Sequence, residues 1–253
     1  MVSMRSRSLI FAAVLTMAFL GSGSGLASID STAGEANMSP MSTAAPRVCH
    51  VEGSMYVEDS PDHPYRVGVT RVDENCQVTD SYEDLSAKEF GALIAQARDE
   101  GAVTIAPLPL TALTGSPDAI LAATSTQKIR GYHHGQHLGK KMVEVRSELR
   151  WWYNGIDVTS YGEGLCGRWN GSCWNPSGSL GCWWEADDMP DWIDIVAQSS
   201  FSVAPLCWAG CPGCGGWLKV TTTGDGSGTH GAYCQHGFSA PAGSTWYCYH
   251  VHL

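Results

Sequence analysis

Ten cysteines constrain this chain more than any other feature: Cys49, Cys76, Cys166, Cys173, Cys182, Cys207, Cys211, Cys214, Cys234 and Cys248. The number is even, and eight of them lie after residue 165. In an oxidising compartment such a set forms a disulfide framework; in a reducing one it more often holds metal or does redox chemistry. The N-terminus decides between these. It carries Arg5 and Arg7 and no acid, then an uncharged apolar run from Leu9 to Leu20, then Gly25 and Ala27, small residues at the spacing a signal peptidase reads. That run is 12 residues long, and a spanning helix needs about 20. Residues 1–27 are therefore expected to be a signal peptide and the product to be secreted, with its cysteines paired. Spacing does not fix the pairing. Cys49–Cys76 is the natural pair of the N-terminal half, and Cys234–Cys248 brackets a candidate hairpin.

The chain has 253 residues, of which 43% are hydrophobic, enough for a real core. Its formal charge is −10, and −12 once residues 1–27 are removed. A negative field opposes non-specific binding to nucleic acid and to anionic lipid, so neither is an expected partner. No stretch after the signal is long and apolar enough to span a membrane.

Residues 28–46 are rich in Ser, Ala, Thr and Gly without hydrophobic period, and read as a flexible leader or propeptide. Residues 47–128 read as a small α+β region. Val48–Val57 and Tyr65–Val72 are strand candidates, separated by a turn with Pro61, Asp62 and Pro64. Ser86 and Glu89 form a capping box, and Phe90, Leu93, Ile94 and Ala97 follow at helical spacing up to Gly101. A second short helix is expected from Ser116-Pro117-Asp118.

Residues 129–253 differ in character, holding all ten tryptophans and dense glycine. Val143, Val145, Ser147, Leu149 and Trp151 alternate with Glu144, Arg146, Glu148, Arg150 and Trp152, which predicts a strand with one buried and one wet face. Asn154-Gly155 then predicts a hairpin with a return strand over 156–160. Residues 192–203, 216–223 and 245–253 also read as strands. The fold class is thus α+β overall, with a C-terminal disulfide-rich antiparallel β-sandwich or partly open barrel.

Three constellations could carry chemistry. Cys207, Cys211 and Cys214 have the spacing of a zinc knuckle with His230 or His236 as fourth ligand, or of a redox pair, but export favours structural disulfides. His133, His134 and His137 sit in a segment read as a surface strand or loop, too extended for two-point ligation. His250 and His252, two apart on the last strand, are a better-shaped pair for a metal. The third is the aromatic and acidic stretch from Trp169 to Trp192. Trp174, Trp183 and Trp184 beside Glu185, Asp187 and Asp188 suit a sugar-binding surface, where indoles stack on a ring and carboxylates accept its hydroxyl protons. The competing structural reading makes the tryptophans core and the acids, including Asp191 and Asp194, a solvated loop.

No catalytic motif stands out, and no cofactor is implied. The leading functional reading is a secreted, non-catalytic binding or interaction module for a surface, a carbohydrate or a protein. Alternatives are a secreted hydrolase using the acids or a His-bound metal, and a toxin or inhibitor with a pro-region.

Overall fold

Strand alternation and cysteine placement together build two stacked antiparallel sheets. The computed structural model describes residues 47–95, 103–105, 125–185, 191–204, 207, 211 and 213–253. They lie within the compact unit Thr43–Leu253. The strands are β1 (Val48–Glu58), β2 (Arg66–Val72), β3 (Val78–Asp84), β4 (Val103–Ile105), β5 (Ser125–His137), β6 (Lys140–Tyr153), β7 (Val158–Tyr161), β8 (Gly164–Asn170), β9 (Trp174–Glu185), β10 (Trp192–Val203), β11 (Gly215–Asp225), β12 (His230–Pro241) and β13 (Ser244–His252), with the helix α1 (Ala87–Ala95) between β3 and β4. One sheet has the order β1-β12-β11-β10-β9. The other has the order β3-β2-β13-β5-β6-β8-β4, with β7 added against β6. The protein is mainly β, and the α+β expectation survives only as α1 beside a β-sandwich. Because β1 pairs β12 and β2 pairs β13, the strands of residues 47–84 belong to the same sheets as those beyond residue 129. Among the described residues no helix is long and apolar enough to cross a membrane.

The capping box forms as read. The Ser86 N–H donates to the Glu89 carboxylate at 2.9 Å, and the Glu89 N–H donates to Ser86 Oγ at 3.3 Å. Phe90 and Leu93 then seal the outer face of the eight-stranded sheet against Val67, Val69, Tyr132, Tyr249 and Val251. The proposed cap at Gly101 and the second helix lie outside the described residues, as do residues 1–46.

Two expectations are corrected. The face of β6 read as wet is wet only at its end, where Arg150 is exposed, and is buried before it: Glu144, Arg146 and Glu148 are 0%, 1% and 8% exposed. These charges are paired along the sheet, Glu144 with Lys141 at 2.8 Å and Glu148 with Arg130 at 2.9 Å, which lets an alternating polar face go inside. Likewise His133 and His134, read as surface residues, are fully buried on opposite faces of β5. The hairpin after β6 forms with a longer turn, in which Asn154 Oδ1 accepts from the N–H groups of Ile156 and Asp157 before β7.

All ten cysteines are paired: Cys49–Cys76, Cys166–Cys182, Cys173–Cys207, Cys211–Cys214 and Cys234–Cys248. Both expected pairs form. Cys234–Cys248 joins β12 to β13, which lie in different sheets, so it ties layer to layer rather than closing a hairpin. Cys166–Cys182, between β8 and β9, does the same. Between these ties the core is apolar, with Val145, Leu149 and Trp151 facing Ile195, Leu218 and Val220.

A polar bolt crosses that core. Thr222 of β11 donates to the Ser147 carbonyl at 3.0 Å and accepts from Ser147 Oγ at 2.5 Å and from the Gly131 N–H at 3.2 Å. Gly131 is required there, because a Cβ would stand 2.5 Å from the Thr222 hydroxyl. Thr222→Val keeps the shape but takes the hydroxyl acceptor from the buried Gly131 N–H and leaves Ser147 Oγ only the 3.4 Å bond to the Val220 carbonyl, and is expected to cost about 1–3 kcal/mol in urea denaturation; an unchanged midpoint would refute the bolt.

The buried histidines set the pH response. Burial lowers His134 to about 3 and His236 to about 4, and burial followed by His236 pushes His133 well below its ordinary value. The unfolded chain binds protons on these groups near 6.5, so stability falls as pH drops below that value. Each contributes a loss of up to about 1.4 kcal/mol per pH unit until its folded pKa is reached. Asp194 opposes this: burial raises it from 3.8 to about 7, so its contribution is complete below 3.8 and lost as pH rises through about 7. Burial lowers His230 and His250 in the same sense and raises Glu144 in the sense of Asp194; the histidines outnumber the acids, and the protein is expected to be less stable at pH 5 than at pH 7 in urea titrations. Equal stability at both would contradict a neutral-histidine core.

Candidate metal centre at the rim of the sandwich

Where β12 begins and β13 ends, the two sheets meet at one rim. There His230, His250, His252 and Asp59 bring one ligand atom each into a cluster whose members all lie within 4.8 Å of one another. Local chemistry fixes each position. The β11–β12 turn is braced by Asp225, whose Oδ1 accepts from the N–H groups of Ser227 and Thr229, both at 2.9 Å. His230 follows directly, and its carbonyl accepts from the Asp59 N–H at 2.9 Å, which pins the residue after β1 beside it. His250 and His252 occupy alternate positions of β13, opposite Gly131 and Ile129 of β5, so both face the same way. The Leu253 N–H donates to the Lys128 carbonyl at 2.9 Å and holds the end of the strand down.

Four of the ligand-atom spacings approach those of a coordination shell. His230 Nε2 is 3.0 Å from His252 Nε2 and 3.7 Å from Asp59 Oδ2. His252 Nε2 and His250 Nε2 lie 3.5 and 3.8 Å from Asp59 Oδ1. Ligand atoms placed about 2.0–2.1 Å from a tetrahedral zinc are about 3.3 Å apart, close to these edges.

Protonation suits the same role. Burial lowers His230, and burial followed by its neighbour His230 lowers His250 to about 4, so both rings are neutral near pH 7. His230 Nδ1 lies 3.0 Å from the Gly228 carbonyl. The Nδ1–H tautomer donates there and leaves an Nε2 lone pair aimed into the cluster, the arrangement that orients ligating histidines. The buried pair is completed by two accessible groups, with His252 58% and Asp59 37% exposed. Metal ions can therefore reach the cluster from solvent.

The alternation of β13 singles out His250 and His252 in the sequence, and the fold adds two partners. His230 was paired in sequence with the cysteine knuckle, but Cys207, Cys211 and Cys214 are consumed by disulfides and offer no thiolates. Asp59 stands in an ordinary turn 171 residues from His230, and only the β1–β12 pairing brings it in. The aromatic candidates are separated by strand alternation. Trp174 is 7% exposed and packs on Phe238 in the core. Trp184 also packs inward, on Tyr161. Trp183 and Glu185 lie on the opposite face of β9, where the Trp183 Nε1–H donates to Glu185 at 3.0 Å. Asp187 and Asp188 are outside the described residues.

Comparison with protein-family models, with curated proteins and with solved structures finds no match, so the geometry of this rim is what speaks to function.

Proposed function

We propose that this chain is an exported, disulfide-stapled β-sandwich that binds a divalent transition metal at its rim, with zinc the best fit. The supporting observation is the convergence of three imidazoles from β12 and β13 and the carboxylate of Asp59, the residue after β1, with ligand atoms 3.0–3.8 Å apart along four edges and all within 4.8 Å. Three nitrogens and one oxygen in that geometry suit zinc better than calcium or magnesium, which take more oxygen ligands. Export follows from the N-terminal signal pattern and fits the paired cysteines. The functional class is then a binding protein whose ligand site includes a metal.

Metal-free protein is expected to take up one zinc per chain. At free zinc one hundred times the dissociation constant, it gains about 2.7 kcal/mol of stability. His252→Ala removes a half-exposed ligand without opening the core, and is expected to weaken zinc binding at least about tenfold. Equilibrium dialysis against zinc and urea melts of both proteins check this. Uptake of no metal, or equal uptake by the variant, would dismiss the site.

A second reading keeps carbohydrate as ligand, on the outer face of the five-stranded sheet. Trp183 and Trp217 lie flat there over Gly181 and Gly237, where a Cβ would come within 2.8 and 2.6 Å of the rings. Rings laid along a sheet leave a broad face for a sugar, and Glu185 stands beside one of them. Soluble oligosaccharides are expected to change tryptophan fluorescence in the parent but not in a Trp183→Ala, Trp217→Ala variant. No change in the parent would discard this reading.

A further inference from the structure

The rim cluster does not face open solvent alone. Asp59, His250 and His252 also line a cavity of about 430 Å³, within the roughly 300–1,000 Å³ of small-molecule sites. Its other walls are apolar: Pro64 and Tyr65 from the β1–β2 connection, and Phe90, Gly91 and Ile94 from α1. No lysine or arginine is among the described lining residues. A divalent ion held by three neutral imidazoles and one carboxylate keeps one positive charge uncompensated. Beside apolar walls, that charge attracts an anion more strongly than it would in water. Zinc can accept a fifth ligand, and carboxylate oxygen is among its ordinary donors.

We propose that the metal anchors a small-ligand site, binding the carboxylate of a molecule whose apolar tail fills the cavity beneath α1. This rests on the metal reading. The charge of the centre selects a monoanionic head, and Phe90, Ile94 and Pro64 select an apolar tail. The shared chemistry is a carboxylate next to an aromatic or aliphatic group, whether in a free acid or at the C-terminus of a peptide. Nothing in the site requires the ligand to be cleaved.

Gly91 supplies a test. It lines the cavity, and a Cβ there meets nothing within 4 Å outside the helix backbone, so Gly91→Leu has room to leave the helix and take up cavity space. The experiment is calorimetric titration of phenylacetate, and of a short peptide ending in phenylalanine with free or amidated C-terminus, into three samples of the full chain. These are the zinc-loaded protein, the metal-free protein and zinc-loaded Gly91→Leu. The zinc-loaded protein is expected to bind phenylacetate or the free-ended peptide, whichever is the source, and not the amidated peptide. Metal-free protein and Gly91→Leu are expected to bind at least about tenfold more weakly, with zinc uptake by Gly91→Leu unchanged. Zinc uptake with no carboxylate binding, with equal binding by metal-free protein, or with an unaffected Gly91→Leu would overturn the ligand site and leave the metal site standing. A chain that takes up no zinc overturns both.

Discussion

The passage of the chain from β12 to β13 is the constraint on which the rest depends. These strands follow each other in sequence yet belong to different sheets, so the turn between them carries the chain from one layer to the other. Cys234 and Cys248 then cross-link them across the core, both buried. His230 lies four residues before Cys234, and His250 two after Cys248. Wherever the cross-link holds β12 on β13, the start of one and the end of the other are held face to face. A pair of histidine-bearing strand ends that would be mobile in an open sheet becomes a fixed cluster. The site is thus a by-product of how the layers are stapled, and Asp59 enters because β1 adds to the same edge.

A disulfide framework also explains how the core tolerates so many polar groups. Burying His133, His134, Glu144 and Arg146 is costly unless each is neutral or paired. The histidines answer by losing their proton, and the acid by pairing with Lys141 and Arg146. Loop closure by the cross-links lowers the entropy of the unfolded chain by an amount worth roughly 3 kcal/mol for a loop of about 15 residues. That margin lets the interior hold ionisable groups without losing the fold.

Much of the β-structure was legible in the sequence. Strands over 48–57, 65–72, 192–203, 216–223 and 245–253 announce themselves by alternation, and α1 by its capping box. β3, β5, β8, β9 and β12 do not. β5 is buried on both faces and mixes Gly, His and Tyr, so it shows no alternation. β9 is an edge strand containing Asn175, Pro176 and Ser177, residues that signal turns and that an edge accommodates. Missing β12 hid its register with β1, and with it the meeting of His230 and Asp59. The His250–His252 pair was visible because two residues apart on a strand means one face. The pairing that completes the site spans 193 residues from Asp59 to His252 and has no local signature.

The most direct test of the metal centre is X-ray absorption at the zinc edge of the zinc-loaded chain. The account predicts a first shell of three imidazole nitrogens and one oxygen, at about 2.0–2.2 Å, with the extra carboxylate oxygen appearing when ligand is added. A shell containing sulfur, or six light atoms with no imidazole scattering, would contradict it.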